Sequence, residues 1–216
     1  MIILGIETSC DETSAAVVKD GRSVLSFAIS SSIQDQAAFG GVVPEIAARR
    51  QLEYIVPVVD KALSDASMAL SAIDAIAVTK GPGLFTSLLV GTATARLLAA
   101  VFQKPLIGVH HTLGHLDSIW LESTEEITFP VLTLSISGGH TDLWFRNSHT
   151  QNERIGSTRD DAAGEAFDKG AMMLGLGYPG GPAIAKKVDS GERIMESDHM
   201  YRFSEPLKGE KTCDYS

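Results

Sequence analysis

Apolar and polar positions fall into distinct blocks along the first third of the chain. Residues 2–9 form an apolar run ending in small polar residues, 14–19 a second run, and 23–30 a third after the turn Asp20-Gly21. That pattern predicts a meander of three strands. From Pro44 the spacing changes, with Leu52, Ile55, Val56, Val59 and Leu63 recurring at helical intervals and Glu45 and Arg49 set for an i,i+4 pair. Pro57 is expected to kink this helix, because it removes a backbone donor and its ring crowds the preceding turn. A strand over 74–79, the loop Lys80-Gly81-Pro82-Gly83, a helix near 85–103 and a buried strand over 106–109 complete the order β-β-β-α-β-α-β.

The pattern then begins again. A strand over 131–136, the turn Ser137-Gly138-Gly139-His140, a strand over 141–146, a third near 151–157 and a helix from about 161 to 174 predict a second β-β-β-α unit. This points to α/β architecture in duplicated halves, and a doubly wound dinucleotide fold is the weaker reading because strands and helices do not simply alternate. The acidic stretch 121–129 marks the boundary, giving domains 1–125 and 126–216.

Composition narrows the classes. The 216 residues are 44% hydrophobic and 21% charged, an ordinary globular balance. With 18 Lys+Arg against 27 Asp+Glu the net charge is −9, so contact with nucleic acid needs a local basic face or a partner's. Two cysteines, Cys10 and Cys213, are too few for a disulfide scaffold and suit a reducing compartment, and no basic region precedes the first apolar run. The longest apolar stretch, 84–102, contains Thr86, Ser87, Thr92, Thr94 and Arg96 and is expected to be a buried helix in a soluble, cytoplasmic chain.

The sharpest chemical signal is His111-Thr112-Leu113-Gly114-His115, because i and i+4 share one helix face and two imidazoles there can grip one metal ion. The same spacing also serves histidines that cap or pack at a strand end, and a metal needs a third ligand from elsewhere. Thr112 stands where a zinc protease has its glutamate, so peptidase chemistry is disfavoured. No nucleophile elbow surrounds any serine and no P-loop occurs. Gly175 to Gly180 spell G-x-G-x-x-G, but after a helix and with Pro179, so the Rossmann context fails. The turn Ser137-Gly138-Gly139-His140 is either a plain hairpin or, beside Glu7-Thr8-Ser9-Cys10-Asp11-Glu12-Thr13 in the first half, one of two hairpins that hold a polyphosphate. Asp161, Glu165 and Asp168 are expected on one helix face, with Thr158 as a capping-box residue; the face is solvated, or Asp168 accepts from a ribose. The loop 80–86 opens a helix and either seats an anion or turns the chain. Arg49 and Arg50, with Glu45 and Glu53 nearby, read as a surface ion-pair lattice.

Taken together, Gly5-Ile6-Glu7-Thr8-Ser9-Cys10-Asp11-Glu12-Thr13, Val43-Pro44-Glu45-Ile46-Ala47, Gly81-Pro82-Gly83-Leu84, the HxxxH pair, Ser137-Gly138-Gly139-His140-Thr141, the segment 160–169 and Tyr178-Pro179-Gly180-Gly181-Pro182 closely resemble the tRNA N6-adenosine threonylcarbamoyltransferase family, TsaD. The resemblance implies a duplicated actin-like ATPase (ribonuclease-H-like) fold, with the first half complete and the second half truncated. It implies transfer of threonylcarbamoyl from threonylcarbamoyl-AMP to N6 of the adenosine 3′ of the anticodon in tRNAs reading ANN codons. His111 and His115 would ligate one divalent metal, iron or zinc. Ser135, Ile136, Ser137, Gly138 and Gly139 would bind ATP, AMP or the adenylate, with Asp168 on the ribose, Gly181 beside the nucleotide, and Asp11 and Glu12 as the catalytic pair on the phosphate side. It also implies a third metal ligand, an aspartate, and a nucleotide-binding asparagine beyond Ser216. The implied partners are tRNA, a paralogous actin-like subunit and a small ATPase, with no membrane. The alternative is a non-catalytic nucleotide-binding scaffold or partner-docking relative of the same superfamily.

Overall fold

The computed structural model describes residues 1–36, 39, 41–126, 128–190 and 206–216. The chain divides into two compact units, Met1–Ile127 and Thr128–Ser216.

In the first unit the three apolar runs form β1 (Ile2–Glu7), β2 (Glu12–Lys19) and β3 (Ser23–Ser31), joined as an antiparallel meander. After a short α1 (Ile33–Gln36) come α2 (Pro44–Asp65), β4 (Ala75–Gly81), α3 (Phe85–Phe102), β5 (Leu106–His110) and α4 (His111–Ser118). The sheet order is β3-β2-β1-β4-β5, with β4 parallel to β1 and β5 parallel to β4. Three antiparallel strands followed by parallel crossovers through α2 and α3 make a ribonuclease-H-like topology, as expected for the first half.

The period of the sequence explains which side chains are inside. Leu4 and Ile6 of β1, Ala15 and Val17 of β2, and Ile76 and Val78 of β4 face Ile55, Val59 and Ala62 of α2 and Val90, Ala95 and Ala99 of α3. Each fully buried Leu, Ile or Val contributes about 1.5–3 kcal/mol relative to exposure. Helix α2 runs through Pro57 to Asp65, with Pro57 exposed and Ile55 and Val58 packed in the core. Arg49 pairs with Glu45 at 2.8 Å, and Arg50 reaches both Glu53 at 2.8 Å and Asp35 at 2.9 Å, which is the surface lattice expected of them.

Helix α3 is long and apolar enough by length and composition to cross a membrane, with mean hydropathy 1.6. It packs against β4 and α2 through its small residues, Ser87, Gly91, Ala95 and Ala99, together with Val90. Phe85, Leu89, Leu97 and Val101 on its other face are exposed. The run 106–109 forms a strand as expected but not a buried one: β5 is the sheet's edge, and Leu106 and Ile107 are 41% and 45% exposed.

The second unit repeats the opening pattern. β6 (Val131–Ile136), β7 (Thr141–Arg146) and β8 (Asn152–Ser157) form an antiparallel three-stranded sheet, followed by α5 (Ala163–Met173) and α6 (Gly180–Asp189). Arg146 is wholly buried and donates through Nε to Asn152 Oδ1 at 2.6 Å. The tail lies directly on β8: Tyr215 donates its N–H to Ser157 O and accepts from Arg159 N–H. Gly156 makes this possible, since a Cβ there would fall 2.0 Å from Cys213 O. One tryptophan belongs to each unit, Trp120 just after α4 and Trp144 within β7.

Candidate metal and nucleotide sites

β5 passes into α4 without an intervening loop, so His111 is the first residue of a helix that starts at the carboxyl end of a parallel strand. Glu7 ends β1 and Thr79 lies near the end of β4, which pairs with both β1 and β5. Carboxyl ends of parallel strands are where open α/β sheets hold their ligands.

The i,i+4 spacing brings the two histidines side by side on one helix face. His111 Nε2 and His115 Nε2 are 3.0 Å apart, and the rings meet edge-on with centroids 4.4 Å apart. This contact is a hydrogen bond, and since two metal–nitrogen bonds of about 2.1 Å can span up to about 4 Å, the separation is compatible with one ion taking the place of the shared proton. The other nitrogen of His111 is held from behind: Nδ1 lies 3.2 Å from Glu7 Oε2 and 3.1 Å from Ser9 Oγ. Glu7 also accepts from the Ser9 N–H and the Thr79 hydroxyl. Burial alone would raise the Glu7 carboxyl, but the hydrogen bonds from His111, Ser9 and Thr79 outweigh it and hold Glu7 down at about 2. An ionised carboxylate on Nδ1–H fixes the tautomer that leaves Nε2 as a lone-pair donor, the arrangement typical of metal-bound histidine. The residues present therefore fit a metal as a two-histidine half-site, and among the described residues no third His, Cys, Asp or Glu joins them. A cavity of about 300 Å³, lined in part by Glu7, Thr79, Val109 and Gly114, opens beside this group.

Asp11 and Glu12 lie at the β1–β2 turn, Asp11 half-buried and Glu12 exposed. Burial, then the Asp11 carboxylate, then Glu7 raise the Glu12 carboxyl above its ordinary range. Cys10 beside them is surface-accessible, yet packing around its sulfur and the Asp11 carboxylate push its thiol up to about 11. The loop before α3 is anchored to this turn: Leu84 N–H donates to Ser9 O at 2.7 Å, so this first-turn donor is taken by protein.

In the second unit Ser137, Gly138, Gly139 and His140 form a tight hairpin, with Ser137 N–H donating to His140 O at 2.8 Å and His140 N–H to Ser137 Oγ at 3.1 Å. The start of α5 docks on it: Ala163 N–H donates to Thr141 Oγ1 at 2.8 Å and Gly164 N–H to Ser137 O at 3.1 Å. Helix α5 accordingly begins at Ala163, and the expected capping box is absent; Thr158 Oγ1 donates instead to the Asp161 carbonyl. Asp161, which precedes the helix, and Glu165 are drawn together by Lys169 at 2.6 and 3.0 Å. Asp168 turns away from them, and its Oδ1 accepts the Gly180 N–H of α6 at 2.6 Å. The single acidic face expected of these three residues is therefore not formed. Ser135 and Ile136 end β6 and lead into the hairpin, while Gly181 lies in the first turn of α6. A Cβ at Gly138, Gly139 or Gly181 would meet nothing within 4 Å, so packing within the protein does not demand glycine at these positions.

Sequence reasoning did not single out Glu7, Ser9 and Thr79 as the backing of His111. The available signal was an acid closing an otherwise apolar strand, Ile2 to Glu7.

A family model described as tRNA N6-adenosine threonylcarbamoyltransferase, TsaD, matches residues 23–216. Curated relatives of that name are similar in sequence: 57% identity over 196 residues with the protein of Thermomicrobium roseum, covering 88% of this chain and 54% of that protein. The relative from Geobacter metallireducens is 53% identical, covering 100% and 61%, and that from Staphylococcus aureus 50% identical, covering 94% and 61%. The chain thus spans 54–61% of the length of these relatives. Among solved structures, YeaZ from Pseudomonas aeruginosa is similar at 21% identity and a TM-score of 0.43, covering 71% of this chain and 63% of that one.

Proposed function

We propose, from the premise that this chain belongs to the tRNA N6-adenosine threonylcarbamoyltransferase family, that it serves transfer of threonylcarbamoyl from threonylcarbamoyl-AMP to N6 of the adenosine 3′ of the anticodon in tRNAs reading ANN codons. The exocyclic amine forms a bond to the carbamoyl carbon, the bond from that carbon to the phosphate oxygen breaks, AMP leaves, and the amine loses a proton. The observation that carries the reading is the pair of imidazole nitrogens 3.0 Å apart, with Glu7 behind one of them.

His111 and His115 would hold one divalent iron or zinc, and Glu7 would keep the His111 ring turned for it. Bound there, the ion would act as a Lewis acid that polarises and orients the acyl donor. The second unit would take the nucleotide: the hairpin of Ser135, Ile136, Ser137, Gly138 and Gly139 would receive its phosphate and base side, with Asp168 accepting from the ribose. The open space at Gly138, Gly139 and Gly181 supports close approach of a ligand to backbone there. Asp11 and Glu12 would face the phosphate side, where two carboxylates can position a cation. Since the acyl adenylate is already activated, most of the acceleration would come from positioning and charge stabilisation. The partners would be tRNA, a paralogous actin-like subunit and a small ATPase, in the cytoplasm.

The test is the double variant His111→Ala plus His115→Ala in the complete protein. Bound metal, measured by elemental mass spectrometry, should fall to background, modified adenosine in tRNA should disappear, and the circular dichroism spectrum should stay unchanged. Unchanged modification would sink the metal role.

A further inference from the structure

The β1–β2 turn is held by its backbone carbonyls, and one buried side chain reaches three of them. Gln51 of α2 is 1% exposed, and its Nε2 donates to Thr8 O at 3.3 Å, Cys10 O at 3.0 Å and Glu12 O at 3.1 Å. Carbonyls only accept, so the amide's NH₂ end must face them, its two hydrogens directed to Cys10 O and Glu12 O and shared with the more distant Thr8 O, with Oε1 buried and unpartnered among the described residues. The remaining carbonyls are taken by others: Ser9 O by Leu84 N–H, and Asp11 O by the N–H and hydroxyl of Ser32. Ser87 Oγ adds a second donor to Cys10 O at 3.2 Å. Every carbonyl from position 8 to 12 is thus engaged, leaving the side chains of Cys10 and Glu12 at the surface. The same turn carries Ser9, whose hydroxyl lies 3.1 Å from His111 Nδ1.

We propose that Gln51 is the positioning residue of the β1–β2 turn, setting through three carbonyls where Asp11 and Glu12 stand and where Ser9 braces His111. A core residue chosen for packing alone would be apolar at this depth, since a buried amide with an unpartnered oxygen costs stability. Here the donor end spans the turn from one strand end to the other, which a leucine or methionine of similar size cannot do. The catalytic part of this inference rests on the transferase reading; the geometric part does not.

The test compares wild type with Gln51→Met, which keeps the volume and removes the donors. Hydrogen exchange followed by mass spectrometry should show the peptide containing residues 7–13 exchanging at least about tenfold faster, with the peptide containing Ile76 and Val78 unchanged. Ser87→Ala, which removes one donor, should show the same local pattern to a smaller degree and serves also if Gln51→Met does not fold. In the complete protein, kcat for transfer should fall roughly 10²-fold with bound metal retained and KM for the adenylate shifted less than about threefold, as displacement of a positioned group predicts. Exchange unchanged at 7–13, equal acceleration in both peptides, or undiminished kcat would each overturn the inference. Absence of transfer by the wild-type protein would instead remove the proposed function and leave the exchange comparison to decide the turn's role.

Discussion

One methyl group is enough to probe how α3 meets the candidate site. Gly91 faces Thr8, whose hydroxyl donates to Ser87 O at 2.8 Å, and a Cβ at Gly91 would stand 2.3 Å from the Thr8 hydroxyl oxygen. In an open helix Gly→Ala stabilises by about 0.5–1 kcal/mol; here Gly91→Ala is expected to reverse the sign and cost about 1–3 kcal/mol, since Thr8 is wholly buried and has nowhere to go. Thermal unfolding should show a midpoint lower by roughly 2–10 °C. A raised midpoint would mean that α3 does not approach β1 as described. Cys10 gives a second residue-scale check. With its thiol at about 11, little thiolate exists at pH 8, so iodoacetamide should label Cys10 at least about tenfold more slowly than a small free thiol. Labelling should accelerate as pH climbs from 9 to 11, which peptide mass spectrometry follows directly.

Helix ends in this chain are finished by distant groups, and that decides what the sequence could reveal. The Gly180 N–H of α6 is satisfied by Asp168, twelve residues away. Asp168→Ala is expected to cost about 1 kcal/mol as a lost cap, while Asp168→Asn, which keeps an acceptor oxygen, should cost a few tenths; equal losses in thermal unfolding would show that the cap contributes nothing. The start of α5 follows the same rule. Thr158 looked like its local cap, but Thr141 Oγ1 and Ser137 O take the first donors, and the helix starts later. What could be read along the chain was what depends on near neighbours: the meander of β1, β2 and β3, the shared face of His111 and His115, and the ion pairs of Arg49 and Arg50. What could not be read depends on partners far away. Glu7 and His111 are 104 positions apart. The hydrophobicity of 106–109 predicts a strand, but only the strand order makes β5 an edge with Leu106 half-exposed.

At the scale of the whole molecule, charge sets the terms for any RNA. A net charge of −9 opposes a polyanion, and the arginines of α2 are paired with Glu45, Glu53 and Asp35. This chain by itself is expected to bind tRNA more weakly than about 10 μM at physiological salt; filter binding across a salt series checks this. Tight, strongly salt-dependent binding by the chain alone would show a basic face that these pairings do not leave. The two units also carry one indole each, Trp120 in the first and Trp144 in the second. Replacing Trp120 with phenylalanine leaves tryptophan emission that belongs entirely to the second unit, and the reciprocal change at Trp144 isolates the first. The protein thus comes with two built-in optical channels, through which the melting of each half can be followed in a single cuvette.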